Sequence, residues 1–448
     1  MSTGAELRER EPAVPARELR PAHGLRDRLT RIAQEARASE SVRVLAVFGA
    51  CVLVWVMRRP EQLTRPYVWV EESFIIRNFL DDGWAGAFEP LQGYFILPAS
   101  ALVALAAELS FVQLPELAYA FSFAVFVGTV LLLLLPESRW GDLNARCLMA
   151  LTMVLVPTNP EVFGIALYSF WWTTLWPVIV LGWKRDLWAL RVPVLAVAAL
   201  SSPAAGALFV VFLLAYALRR RLRELVSAAI LLAGFVYELS VALDSTRAEL
   251  LSRDADPLRV LEQTFRTAGL YEARWLSPAS PDRYFLLLGG IVFVVFLVFA
   301  AVRLASARRH EALLLVAAAG IYTVLSAVPA PLITDPGTSG PRYFFLPFVV
   351  FGWVLLMLWR HADLARLRTA AALLLAASLL GLATTFSRGA ELTAANLSWE
   401  EEVQKCARSV RDSFEIPIYF DGSTKLFWTL TISPTECRRL ADAYPPYG

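Results

Sequence analysis

The chain has 448 residues, of which 57% are hydrophobic, with a mean hydropathy of +0.52 and a net charge of only +2. That is too apolar for a soluble globular protein and calls for lipid as solvent. The near-neutral balance excludes the strongly basic surface that would argue for nucleic acid as a partner. Lys occurs only at Lys184, Lys405 and Lys425 while Arg is abundant, which points to a GC-rich, bacterial coding sequence.

Residues 1–41 are rich in Arg, Glu, Ala and Pro and carry no apolar run or small-residue cleavage site. They read as a disordered cytosolic tail with a surface helix around Leu25–Ala38. Apolar runs suited to helices follow at 42–57, 93–109, 115–135, 145–157, 163–183, 188–201, 203–218, 225–243, 283–303, 311–328, 343–359 and 369–387. Basic connections at 184–191, 219–224, 303–311 and 359–368 mark cytoplasmic loops. Counting back from them places 136-PESRWGDLNAR-146 inside, whereas counting forward from a cytosolic tail places it outside, so one early run must not cross. The run 93–109 is short, opens on Gly93-Tyr94 and contains Pro98, so we expect it to lie along the outer surface. The fold class expected is an all-α polytopic membrane protein of about eleven spans, spread over 42–387, with the N-terminus inside and the C-terminus outside.

On that topology the outer face receives 58–114, the turn around Asn159-Pro160-Glu161, 201–206, 244–282, 329–342 and the segment 388–448. His23, His310 and His361 all fall on the cytoplasmic side, so neither a His-based triad nor a multi-histidine zinc site can be built outside. No P-loop or dinucleotide fingerprint is present. An external general base must therefore be a carboxylate.

The first external loop supplies candidates in 67-YVWVEESFIIRNFLDDG-83. A helix from about Val70 to Asp82 puts Glu71, Asn78 and Asp82 on one face and Glu72 on the apolar face. Both glutamates lie in its first turn, where backbone N–H groups favour an anion. Partly buried carboxylates near a lipid interface are functional candidates; the plainer reading is a capped interfacial helix with an aromatic belt. In 157-PTNPEVFGIALYSFWW-172, polar Asn159 and Glu161 precede Tyr168, Trp171 and Trp172, rings that suit sugar faces as well as the lipid interface. In 335-DPGTSGPRYFF-345 a Gly/Pro-rich loop delivers Arg342, with Tyr343, to the start of a span. Arg grips phosphate through a planar fork of donors; a snorkelling Arg is the plainer alternative. Arg253, Arg259, Arg266 and Arg274 in 244–278 sit on an amphipathic helix that reads as solvated or lying on the membrane surface.

Cys51 and Cys147 lie in apolar helices and read as packing residues, whereas Cys406 and Cys437 form an even pair in the polar C-terminal segment and suggest a disulfide in an oxidising compartment. Alternation through 415–437 around Asp421-Gly422 predicts a β-hairpin, which makes 388–448 a small α+β segment.

A carboxylate-bearing first external loop, a juxtamembrane helix opening with Gly-Tyr, and many short-looped spans resemble the GT-C glycosyltransferases. The closest general pattern is the aminoarabinose and mannosyl transferases that use polyprenyl-phosphate sugars. Trp69, Glu71 and Glu72, then Pro90, Gly93 and Tyr94, and Glu161-Val162-Phe163-Gly164 also look like motifs of a group of actinobacterial membrane proteins. The resemblance implies an inverting transfer at the outer face, from a lipid-linked sugar donor to a cell-envelope glycan or lipid acceptor. Glu71 or Glu72 would be the base, with Glu71 preferred, and Arg342 would bind the donor phosphate. Tyr94, Asn159, Glu161, Tyr168, Trp172 and Tyr343 would contact sugar or acceptor. A divalent metal is a possible accessory, and a flippase or a glycan polymerase or ligase are the competing functions.

Overall fold

The computed structural model describes residues 23–91, 93–158, 160–244, 256–273, 282–327, 341–386, 398–419 and 427–442. The chain divides into two units, residues 1–46 and 47–448. Cys51 and Cys147 are both buried, and the fold around them is almost wholly helical. Helix α1 (His23–Arg58) contains the first apolar run, and a short α2 (Pro60–Thr64) follows. Helices α3 (Glu72–Ala87) and α4 (Leu97–Leu109) make up the first loop. The next elements are α5 (Leu114–Leu134), α6 (Leu143–Val154), α7 (Ser169–Thr174), α8 (Trp176–Leu181), α9 (Trp188–Ala199), α10 (Pro203–Ala207), α11 (Phe209–Arg219) and α12 (Leu222–Asp244). After them come α13 (Pro257–Ala273), α14 (Arg283–Val302), α15 (Ser306–Ala327), α16 (Phe345–His361) and α17 (Ala365–Thr385).

Among the described residues, seven helical stretches are long and apolar enough to cross a membrane: Ser39–Arg58, Leu114–Leu134, Leu222–Asp244, Arg283–Val302, Arg308–Ala327, Arg342–His361 and Ala365–Ala383. Five shorter apolar helices accompany them. The 163–183 run is not one rod. It starts as an irregular loop and breaks at Leu175, before Pro177, into α7 and α8; Pro suits a first helical turn and ends the helix before it.

The connections rich in Arg converge on one end of the bundle. Glu224, fully buried, pairs with Arg191 at 3.0 Å, Arg219 at 3.3 Å and Arg223 at 3.2 Å. Arg219 also pairs with Glu311, Arg223 with Asp186, and Arg185 with Glu137 at 3.1 Å. Arg308 donates to the Arg139 carbonyl, and Arg360 reaches Asp142 at 3.0 Å. The charges around Glu224 are taken out of water and must be paired, and with the more exposed pairs of Arg185 and Arg360 they tie the loops 136–146, 184–191, 219–224, 303–311 and 359–368 into one layer. The two ends of α4, by contrast, contact the opposite layer. Leu97 N–H donates to Leu200 O at its start, and Glu108 near its end accepts from the Trp84 indole.

Helix α13 departs from the expected solvated surface helix. Thr267, Ala268, Leu270 and Tyr271 are buried, and Arg266 is 5% exposed beside Glu262. The cause is a pair of glycines: a Cβ at Gly269 would fall 2.0 Å from Leu286 O, and one at Gly290 would fall 1.7 Å from Phe265 O. With no side chain at either point the α13 and α14 backbones pack in direct contact. Arg259 is exposed, and Arg253 and Arg274 lie outside the described residues.

The C-terminal segment has helix α18 (Trp399–Arg408), strands β1 (Phe414–Tyr419) and β2 (Phe427–Ile432) paired antiparallel with Ile416 opposite Leu430, and helix α19 (Pro434–Asp442). The Asp421-Gly422 turn lies outside the described residues. Cys406 and Cys437 form a disulfide between α18 and α19, with Cα atoms 6.0 Å apart. The segment is fastened to the first loop. The Tyr67 hydroxyl donates to Pro417 O at 2.6 Å, Arg77 to Thr431 O at 2.8 Å, and the Trp399 indole to Phe111 O at 2.7 Å.

Candidate active site

The start of α3 explains why two adjacent glutamates behave differently. The Glu72 amide donates to the Trp69 backbone carbonyl at 3.0 Å, closing a turn, while its carboxylate accepts from the Trp69 amide at 2.8 Å, as the acidic member of a capping box does. The other Glu72 oxygen accepts from the Leu167 amide at 2.9 Å. Glu72 is 2% exposed, and burial pushes its carboxyl up to about 7 against the pull of these backbone donors. Both of its oxygens are committed to holding the first loop against the 166–167 backbone.

Glu71, one residue earlier, turns to the other side. One oxygen lies 3.6 Å from the Arg342 guanidinium, and the other is buried with no hydrogen-bond partner among the described residues. Burial holds its carboxyl above the usual carboxylate range, and Arg342 pulls in the opposite direction. Arg342 enters on a 3₁₀ turn (Pro341–Phe344) that leads into α16. Its guanidinium also pairs with Glu161 at 2.8 Å and stands 5.2 Å from the Tyr168 ring centre and 5.4 Å from that of Tyr343. The Tyr168 hydroxyl accepts from the Trp69 indole at 2.9 Å. Thus Glu71, Glu161, Tyr168, Arg342 and Tyr343, spread over 273 positions from 71 to 343, form one cluster.

The loop that delivers Glu161 and Tyr168 is buried, so its backbone groups need partners. Arg58 donates to Val156 O and Thr158 O, Ser122 to Ile165 O at 3.1 Å, and the Trp172 indole to Val162 O at 2.8 Å. Gly164 adopts a φ of +75°, open to glycine at little cost, and a Cβ there would meet the Tyr119 ring at 3.1 Å. Gly93, at φ +85°, makes the turn in which Leu91 and Tyr94 exchange backbone hydrogen bonds, and so presents Tyr94.

Two cavities meet at this cluster. A small one of about 30 Å³ is lined by Glu71, Tyr94, Tyr168, Arg342 and Tyr343, among others. A larger one of about 270 Å³ shares Tyr94, Phe170, Trp171 and Tyr343 with it and extends between α12 and α15 to Glu238, Leu239 and Leu325. Of the residues expected in the site, Trp172 is elsewhere. It is fully buried in a ring cluster with Phe126, Phe163 and Phe345, and its neighbour Trp171 lines both cavities instead. Helical geometry sends adjacent side chains to different faces, so choosing between the two tryptophans needed the packing of α7 against its neighbours. Asn159 lies outside the described residues.

Two charged residues went unnoticed in the sequence. Glu238 is 1% exposed within an apolar span, and an ionisable residue inside a span is itself a signal. Arg59, 1% exposed, pairs with Glu61 at 2.8 Å and lies over the Trp69 ring. At the end of α1 beside Arg58 it looks like an interfacial arginine.

The guanidinium of Arg342 already takes the position between Glu71 and Glu161, and among the described residues no three His, Cys, Asp or Glu side chains gather where they could share an ion. Comparison with protein-family models, with curated proteins and with solved structures finds no match to this chain.

Proposed function

We propose that the chain is a membrane glycosyltransferase that moves a sugar from a polyprenyl-phosphate donor to a cell-envelope acceptor, with inversion. The observation that carries this reading is Glu71, a half-buried carboxylate with one buried, unpartnered oxygen, set beside Arg342 on the wall of a cavity that continues between the spans. The acceptor hydroxyl oxygen attacks the anomeric carbon, and its proton passes to Glu71. The bond from that carbon to the donor phosphate breaks, and its electron pair leaves with the phosphate, beside the guanidinium of Arg342. A carboxylate is a weak base in water, and its raised affinity for a proton and its placement supply the rate. Arg342 shares its donors with Glu161, so an arriving phosphate competes with a carboxylate already in place. The lipid tail of the donor fits the apolar part of the larger cavity, which gives the reaction a reason to sit in a membrane protein.

In this reading the Arg-rich layer is cytoplasmic and the Glu71 cluster faces outward. The α4 helix lies along the outer surface, which leaves about eleven spans, a cytoplasmic N-terminus and an external C-terminus. The Cys406–Cys437 disulfide supports an oxidising compartment for that end. The membrane is the bacterial inner membrane. The test is transfer of radiolabelled sugar from polyprenyl-phosphate donors to envelope extract in proteoliposomes. Glu71→Gln abolishes transfer without loss of expression. Full activity in both Glu71→Gln and Glu72→Gln would remove the base.

A further inference from the structure

The Arg-rich layer holds more positive charge than its own ion pairs use. Its five loops carry 15 Arg and Lys against 6 Asp and Glu, in a chain whose net charge is only +2. Glu137, Asp142, Asp186, Glu224 and Glu311 are each already paired with arginine. The surplus is felt at Arg139, which is held below the usual arginine range by burial and then by the like charges of Arg219 and Arg221, while Glu311 pulls the other way. Arg220, Arg221, Arg366 and Arg368 are exposed and form no ion pair among the described residues. Arg220 also makes the turn between α11 and α12 at a φ of +53°. Glycine is the usual residue in that left-handed position, because it has no Cβ to strain. An arginine placed there at a conformational cost argues that its charge is used.

Apolar side chains at the same level say what kind of anion fits. Leu187, Trp188 and Leu190 at the start of α9, Trp359 near the end of α16 and Leu364 before α17 are each at least 40% exposed. A soluble anion or an acidic protein domain would leave these side chains in water. A lipid headgroup region does not: Trp sits where headgroups meet chains, and Arg lays its stem on apolar surface and raises its guanidinium to phosphate level. The planar fork of Arg matches two phosphate oxygens.

We propose that this end of the bundle binds the phosphate groups of anionic phospholipids, with Arg220, Arg221, Arg366 and Arg368 as its exposed contacts. A zwitterionic headgroup carries its own cation beside the phosphate and gains little from the surplus charge. An anionic headgroup gains from all of it. The layer is cytoplasmic in the topology we propose, and anionic lipids give that leaflet its negative surface potential. The lipid site itself needs neither that orientation nor sugar transfer.

The test reconstitutes the full chain in symmetric phosphatidylcholine vesicles with a trace of spin-labelled phosphatidylglycerol or spin-labelled phosphatidylcholine. Electron spin resonance gives the fraction of each label that the protein restricts. Wild type prefers the phosphatidylglycerol label about fivefold, the size of one arginine near an anionic membrane surface, and high salt lowers the preference. Arg→Gln at all four positions removes the preference and leaves the restricted fraction of the phosphatidylcholine label unchanged, which shows an intact lipid-facing surface. Arg→Lys at the same four positions keeps it, because the charge is retained. No preference in wild type, or an undiminished preference in the Gln variant, overturns the site. Displacement of the phosphatidylglycerol label by inorganic phosphate at constant ionic strength also overturns it, by showing a site for a soluble anion. Sugar transfer is measured separately, so a lipid preference in a protein that transfers no sugar keeps the site and refutes the transferase reading.

Discussion

Replacing each of the two neighbouring glutamates by Gln separates a structural carboxylate from a reactive one. At Glu72 two backbone N–H groups, from Trp69 at 2.8 Å and Leu167 at 2.9 Å, point at two oxygens. Gln offers one oxygen and an amide NH₂, so one backbone donor keeps its partner and the other faces a second donor. A buried donor left unsatisfied costs about 1–3 kcal/mol, and Glu72→Ala, which strands both, costs about 2–6 kcal/mol. Against a typical total of about 5–15 kcal/mol, this is a large loss. At Glu71 the unpartnered oxygen has no hydrogen bond to lose, and the weakened attraction to Arg342 is offset by the removal of a buried charge. Glu71→Gln therefore leaves stability within about 1 kcal/mol. Its effect falls on rate, where a general base contributes about 10²–10⁴-fold, or about 3–5 kcal/mol of barrier. The assay heats solubilised protein and follows the monodisperse fraction by size-exclusion chromatography, alongside sugar transfer in proteoliposomes. Glu72→Gln melts early, and Glu71→Gln melts with wild type but does not transfer. The reverse pattern, a thermally intact but inactive Glu72→Gln beside a fully active Glu71→Gln, would refute this assignment.

Four further outcomes follow from the same geometry. The folded-state pKa of Glu72 is raised from 4.5 to about 7, so the stability it contributes is complete below 4.5 and is lost as pH rises through about 7. Thermal resistance should fall over that window in wild type and flatten in Glu72→Gln, and an equal slope in both would count against the assignment. On the proposed mechanism transfer needs ionised Glu71, whose pKa is raised, so the rate should rise with pH along an acidic limb with its midpoint above 4.5; a pH-independent rate contradicts the carboxylate base. Arg342→Ala should raise the KM for donor more than that for acceptor, with Arg342→Lys intermediate because it keeps charge and loses the fork; the opposite ranking argues against a phosphate role. Cys406 and Cys437 should take up maleimide only after reduction, and ready labelling of the unreduced protein would contradict the bond.

Much of the site was legible because its residue types are rare where they stand. Two acids beside a span, an Arg opening another and a Glu in an aromatic loop are costly near lipid, and cost marks function. That Glu71 and Glu161 meet on Arg342 was not legible, since nothing local joins position 71 to 161 or 342. Glu72 was assigned by helix face alone. Its bond from the Trp69 amide is local, but its second partner, the Leu167 amide, depends on how the 166–167 loop packs, a tertiary fact.

By itself the sequence determined the solvent and the alternation. Mean hydropathy, the apolar runs and the Arg-bearing connections follow from the energetics of burying single residues in lipid, which are additive along a chain. The even pair of cysteines and the alternating strands of the C-terminal segment are local patterns of the same kind. Only the tertiary structure decided which of two adjacent tryptophans faces the cavity, that α13 is packed on one face, and that Glu238 and Trp171 line one cavity. Those outcomes depend on close approach between segments far apart in sequence. Such contact is set by packing of whole helices, through a missing Cβ at Gly269 or a break at Leu175, and not by the preference of any one residue.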